Sequence, residues 1–293
     1  MSVDFGRLIT AMVTPFDSQL QIDWPQVGRL IDYLIEEQQS DSLVVCGTTG
    51  ESPTLTEEEK LQLFDYAVKH AKGRCKIIAG TGSYDTGHTI HLSREAEKLG
   101  VDALLLVAPY YNRPSQEGLY QHYKAVAESV SLPVILYNVP GRTGVNITAE
   151  TTVRLSQIPN IAATKDCTDT DQITQILHGA RPGFVVYSGD DSMTLPALSV
   201  GAHGIISVSS HVIGKEMKTM IDLYLQGRVR EAAELNRKLH PIFKGMFECP
   251  HRVPSPAPVK FALNYRGMNV GGLRLPLVNV TEEEGRFIAA LFD

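Results

Sequence analysis

The sequence predicts a (β/α)8 barrel followed by a C-terminal helical region, and three observations carry that expectation. Eight short apolar, β-branched runs recur over roughly 210 residues, at intervals of about 20 to 35. Helix-like segments fill the gaps between most of them. The runs are apolar on both faces, which suits parallel strands covered by helices better than half-exposed antiparallel ones.

In order, the candidate strands are Ile9–Val13, Ser42–Cys46, Lys76–Ala79, Ala103–Val107, Val134–Tyr137, Ile161–Thr164, Phe184–Tyr187 and Gly204–Val208. The helical segments carry start and stop signals. Pro53–Lys72 contains Thr56-Glu57-Glu58-Glu59, a capping box, and then Leu61, Phe64, Ala67 and Val68 at helical spacing. His88–Leu99 ends at Gly100, a residue suited to the left-handed C′ position. Tyr120–Val130, Ala149–Leu155, Thr170–Leu177 and Leu195–Val200 follow, and no element is assigned between the first two strands. A doubly wound open sheet is the alternative, but no G-x-G-x-x-G follows any of the strands.

Beyond about residue 214 the alternation ceases. Met217–Gln226, Val229–Leu239, Ile242–Phe247, Pro258–Tyr265 and Glu282–Phe292 read as helices, with Thr281 and Glu284 forming a second capping box. A Pro-rich elbow spans Pro250–Pro258. The division expected is a catalytic barrel over 1–224 and a helical domain over 225–293.

Composition narrows the function classes. The 293 residues are 43% hydrophobic and 20% charged, enough for a large core. A net charge of −6, with no basic stripe, argues against a nucleic-acid partner. The four cysteines, Cys46, Cys75, Cys167 and Cys249, lie far apart without a C-x-x-C pair, which favours reduced thiols over a disulfide framework or zinc site. The N-terminal apolar stretch is broken at Pro15, too early for a signal peptide, and no run approaches the roughly 20 residues that span a bilayer. The expectation is a cytoplasmic protein without a membrane partner.

Barrel active sites gather in the loops after the strands, and the polar residues of interest fall there. Gly47-Thr48-Thr49-Gly50-Glu51-Ser52 could present backbone amides and hydroxyls to an anion, or be a turn before a helix. It lacks the Gly-Lys-Ser/Thr ending of a phosphate-binding loop. Pro109-Tyr110-Tyr111-Asn112 could serve a site or cover the barrel rim. Tyr137 can relay protons and Arg142 can grip a carboxylate, although a surface arginine in a turn is the ordinary alternative. Lys165 ends an apolar strand. Desolvation there would lower its pKa and leave the neutral amine that attacks a ketone, whereas snorkelling outward or pairing with Asp166 is the bland reading. Asp190-Asp191 invites a metal, but without a histidine at ligand spacing a helix cap is the better reading.

Taken together, these motifs closely resemble the dihydrodipicolinate synthase family, within the class I pyruvate-dependent aldolases. The resemblance runs from Leu8-Ile9-Thr10-Ala11-Met12-Val13-Thr14-Pro15 through Ser255-Pro256-Ala257-Pro258-Val259-Lys260 to Leu273-Arg274-Leu275-Pro276-Leu277. Its most specific runs are Pro109–Gly118 and Leu136-Tyr137-Asn138-Val139-Pro140-Gly141-Arg142-Thr143. The resemblance implies a lyase that condenses pyruvate with L-aspartate 4-semialdehyde in lysine and diaminopimelate biosynthesis, without metal or organic cofactor. It implies a homotetramer built as a dimer of tight dimers. Lys165 is similar to the Schiff-base lysine, and Thr48, Tyr111 and Tyr137 to a proton-relay triad in which Tyr111 comes from the neighbouring subunit. Thr49 matches the residue holding the pyruvate carboxylate, and Arg142 the one binding the aldehyde's carboxylate. Gly189 and Ile206 match positions lining the pyruvate pocket.

Departures accompany the matches. Asp166-Cys167-Thr168 stands where the family commonly has a glutamate and a small residue, and the elbow Cys249–Ser255 is a few residues longer than usual. In members inhibited by lysine, polar residues at positions matching Ser52, Glu57, Lys60, Tyr84, His88 and Tyr110 form the feedback site. Tyr84 and His88 replace an amide and a carboxylate there, so weak or absent inhibition is expected. Two other readings compete. A sialic-acid or 2-keto-3-deoxy-sugar-acid aldolase resembles this chain at Lys165 and Tyr137 but seldom combines Thr48-Thr49 with Arg142-Thr143. A non-catalytic keto-acid sensor should have lost Lys165 or a tyrosine, and all three are present.

Overall fold

Eight parallel strands close into a barrel in sequence order, β8 returning to pair with β1. They are β1 (Leu8–Ala11), β2 (Ser42–Val45), β3 (Lys76–Gly80), β4 (Ala103–Val107), β5 (Val134–Asn138), β6 (Ile161–Asp166), β7 (Val185–Ser188) and β8 (Gly204–Ser207). The computed structural model describes residues 4–293. Every apolar run marked in the sequence is a strand, shifted by no more than two residues at either end. The physical cause is burial on both faces. Ile9, Val44, Ile78, Leu105, Ile135, Ala163 and Ile206 point inward and pack as the barrel's own core, while Leu8, Leu43, Leu104, Leu136 and Ile205 point outward against the helices.

The surrounding helices are α1 (Trp24–Glu36), α2 (Glu57–Ala71), α3 (Thr86–Lys98), α4 (Gln116–Ala127), the short α5 (Pro140–Thr143), α6 (Ala149–Ser156), α7 (Thr170–Gly179), α8 (Thr194–Ser199) and α9 (Ser210–Leu225). Helix α1 fills the stretch left without an element. Its signal was present: Asp23 accepts a hydrogen bond from Gln26 N, a proline opens the first turn, and Val27, Leu30, Ile31 and Leu34 make a buried stripe. Each of those four side chains contributes about 1.5–3 kcal/mol through burial, so the helix is held by packing. The Thr56–Glu59 capping box starts α2, later than Pro53, because Ser52–Thr54 form a separate 3-10 turn. Gly100 has φ +81°, the left-handed C′ conformation expected of it.

Three C-terminal helices complete the chain: α10 (Val229–Gly245), α11 (Ala257–Tyr265) and α12 (Glu282–Ala289). The two helices expected on either side of Pro241 are one, running through the proline. A proline removes one backbone hydrogen bond and crowds the preceding turn, yet buried Leu239 and Phe243 hold both halves against the core. Helix α9 starts at Ser210, ahead of the expected Met217, and passes a non-helical residue at Ile213. The Thr281–Glu284 capping box starts α12 as expected.

Candidate active site

Lys165 sits near the C-terminal end of β6, inside the barrel mouth, with 4% of its surface exposed. Strand alternation puts it on the inner face and turns Asp166 outward. The register aligns it with Tyr137 on β5 and Tyr187 on β7. Its Nζ lies 4.4 Å from the centre of the Tyr137 ring. Burial pushes its pKa below the ordinary lysine value; the nearby Cys167 and Asp191 oppose that shift and Arg142 reinforces it.

Asp166 is not the lysine's partner. Its carboxylate accepts hydrogen bonds from Asn138 Nδ2 at 3.0 Å, Gln172 Nε2 at 2.9 Å and Thr168 N at 2.9 Å. Asn138 in turn donates to Asn146 Oδ1 at 2.7 Å and accepts from Ile147 N at 3.0 Å. This buried network ties the ends of β5 and β6 together, and so fixes Tyr137 relative to Lys165. The two residues facing the barrel are held by the two facing away from it.

Tyr137 is buried, and burial raises its phenol pKa; Cys167 adds to the shift, whereas Arg142 and the nearby Thr48 hydroxyl oppose it. The phenol is therefore fully protonated at neutral pH, able to give a proton and take one back through Thr48. Burial pushes the Cys167 thiol up to about 12, so it stands against Lys165 as a neutral group. Thr49 is buried beside Thr48, and Arg142 stands exposed in α5 at the rim.

A cavity of about 500 Å³ brings Thr48, Thr49, Tyr137, Arg142, Lys165 and Gly189 together. A second, of about 210 Å³, shares Thr48, Tyr137 and Arg142 with it and is also lined by Ser52, Tyr110 and Val107. Gly189 belongs to the first for a steric reason. A Cβ there would stand 2.8 Å from Lys165 Cε and would collide with the Cys167 sulfur. Only a glycine lets the lysine pass.

Two of the residues singled out in the sequence do not reach the cavity. Ile206 is wholly buried in the barrel core, opposite Ile9, and Val208, two residues on, takes the lining position. Tyr111 has φ +71°, is 92% exposed and lines neither cavity. Three features were missed. Arg252, Val253, Pro254 and Ser255 of the elbow, with Phe243 and Phe247 of α10, form one wall of the main cavity, so the C-terminal region does more than pack. Asp191 is buried; its Oδ2 accepts from Ser209 N at 2.7 Å, and burial raises its pKa. Asp190 is the cap foreseen for this pair, accepting from Ser192 N. Cys167, marked only as a departure, lines the cavity with Lys165 and Tyr137, its sulfur set against Gly189.

Comparison with known proteins agrees with this geometry. A family model described as the dihydrodipicolinate synthetase family matches residues 4–292. A 4-hydroxy-tetrahydrodipicolinate synthase of Heliobacterium modesticaldum is 53% identical over 96% of this chain and 93% of its own length. One from Bacillus subtilis is also 53% identical, over 96% of each chain. The crystal structure of a dihydrodipicolinate synthase from Bacillus anthracis superimposes with a TM-score of 0.95 at 50% identity, covering 99% of this chain and 98% of that one. The chain belongs to the dihydrodipicolinate synthetase family.

Proposed function

We propose that this chain is a 4-hydroxy-tetrahydrodipicolinate synthase, condensing pyruvate with L-aspartate 4-semialdehyde through a Schiff base on Lys165. The carrying observation is a buried amine of lowered pKa beside a protonated tyrosine, in a cavity that also holds Thr49 and Arg142. Neutral Lys165 attacks the pyruvate ketone, and loss of water gives the imine. Protonation of that imine makes an electron sink, and loss of a methyl proton gives the enamine. The enamine carbon then attacks the aldehyde, forming the carbon–carbon bond and restoring the imine, and the aldehyde oxygen takes up a proton; the amino group of the second substrate adds to the imine carbon, closing the ring and releasing Lys165 as the free amine. Tyr137 moves these protons, with Thr48 and Tyr111 linking it to solvent. Thr49 holds the pyruvate carboxylate, beside Gly189, and Arg142 orients the carboxylate of the second substrate.

A cytoplasmic homotetramer, a dimer of tight dimers, is part of the same proposal. Its support is Tyr111, a large side chain left 92% exposed in a left-handed loop conformation and suited to enter a neighbour's site. No helix is long and apolar enough to cross a membrane among the described residues. The test is turnover. With pyruvate present, the protein should consume L-aspartate 4-semialdehyde far faster than N-acetylmannosamine or simple aldehydes. Equal turnover of an uncharged aldehyde would contradict the assignment of Arg142 and of the acceptor.

A further inference from the structure

We propose that Glu51 and Lys260 form a positioning pair that fixes the Thr48–Thr49 loop to the C-terminal helical region and so sets the carboxylate site of the keto acid. The inference rests on the reading of Thr49 given above. Glu51 lies two residues beyond Thr49, in the left-handed conformation with φ +59°, and its side chain is 1% exposed. Lys260, on α11, is equally buried. Its Nζ stands 2.7 Å from Glu51 Oε1, a buried ion pair. Lys260 donates its hydrogen bond to Gly272 O, also at 2.7 Å. The other carboxylate oxygen of Glu51 accepts from Arg274 N at 3.0 Å.

The pair belongs to a larger clamp. Phe16, just beyond β1, lies 4.2 Å below Lys260 Nζ and 4.5 Å from the Arg274 guanidinium. Arg274 grips Glu59 with both terminal nitrogens, at 2.8 and 2.6 Å, and donates from Nε to Leu20 O. Thr14 Oγ1 donates to Gly50 O at 2.7 Å, while a Cβ on Gly50 would press Met12 O at 3.1 Å. The two-threonine loop is thus held from β1 on one side and from the C-terminal segments on the other.

Stability alone does not account for such a pair. Removing two charges from water costs about as much as their attraction returns, and apolar replacements of similar volume are often neutral or better. What the pair supplies is a defined position. Glu51 cannot leave its left-handed conformation while its carboxylate is held at two points, and Thr48 and Thr49 sit on the same turn, where Glu51 N bonds back to Thr48 O at 3.1 Å.

The test is the double variant Glu51→Gln/Lys260→Met, which leaves no buried charge without a partner. Three properties are read: melting temperature, amide hydrogen exchange over 47–54 without substrate, and steady-state kinetics. The proposal requires a folded variant in which exchange over 47–54 is about tenfold faster or more. It also requires the KM for pyruvate to rise about tenfold, with kcat falling as Thr48 shifts with the loop, while the KM for the aldehyde stays within about threefold. A folded variant with unchanged exchange and unchanged pyruvate KM overturns it. If that variant does not fold, Glu51→Gln/Lys260→Gln provides the same readouts. Failure of both to fold marks the pair as a folding requirement and also counts against the proposal. A parent protein that forms no pyruvate adduct contradicts the functional reading instead, and the exchange measurement still decides whether the pair holds the loop.

Discussion

Replacing Gly189 with alanine adds one methyl group at the most crowded point of the site. The new Cβ would lie 2.8 Å from Lys165 Cε and 3.1 Å from Lys165 Cγ, and would overlap the Cys167 sulfur. Ordinary carbon–carbon contact needs about 3.5–4.0 Å, so the lysine stem or β7 must move by roughly an ångström. Overpacking of this kind costs about 1–3 kcal/mol, a fall in Tm of roughly 2–5 °C for a chain of this size. A displacement of about 1 Å at the reacting atom costs on the order of 100-fold in rate. Gly189→Ala should therefore fold, melt a few degrees lower, and lose about 100-fold in kcat/KM for pyruvate. Far-UV circular dichroism, thermal melting and steady-state kinetics with both substrates measure these effects. Activity within threefold of the parent would refute the steric reasoning and with it the position assigned to Lys165.

Three further outcomes follow from the same geometry. Asp191 holds the Lys165 pKa up against the desolvation that lowers it, so Asp191→Asn should lower that pKa further. Because the neutral amine is the nucleophile, the acid limb of the kcat/KM profile should then move to lower pH; movement to higher pH would contradict the assignment. Asp166→Ala removes the acceptor of Asn138 and Gln172 in a buried network, and should cost about 1–3 kcal/mol in a denaturation titration as well as lowering kcat. Millimolar L-lysine should leave activity nearly unchanged, since Tyr84 packs edge-on against Tyr110 and His88 lies 3.4 Å from Glu57, in place of the amide and carboxylate that the resemblance to lysine-inhibited members implies there. Strong inhibition would sink that expectation.

Much of the barrel could be read from the chain because parallel strands buried on both faces must be apolar throughout, as Leu104-Leu105-Leu106 and Ile77-Ile78-Ala79 are. Helix α1 carried a full signature, an Asp23 cap and a stripe at Val27, Leu30, Ile31 and Leu34, in a gap as long as those that hold the other helices. Pro241 misleads for the opposite reason: a local breaker signal is overridden by packing on both sides of it. Lys165, Tyr137, Thr48, Thr49 and Arg142 could be gathered from their places at strand ends, since a barrel brings those ends together. The elbow residues 252–255 could not, because their approach to the cavity depends on how α10 and α11 cross the barrel mouth, which no local pattern encodes. Nor could the Glu51–Lys260 contact, which joins residues more than two hundred positions apart.

The central claim is that the Lys165 amine bonds covalently to the keto acid. Borohydride reduction in the presence of pyruvate, followed by peptide mass mapping, tests it most directly. The account predicts one stable pyruvate-derived adduct per chain, on Lys165, with loss of activity in proportion to labelling and no adduct in Lys165→Arg. An unlabelled Lys165, or an adduct carried by another lysine, would contradict it.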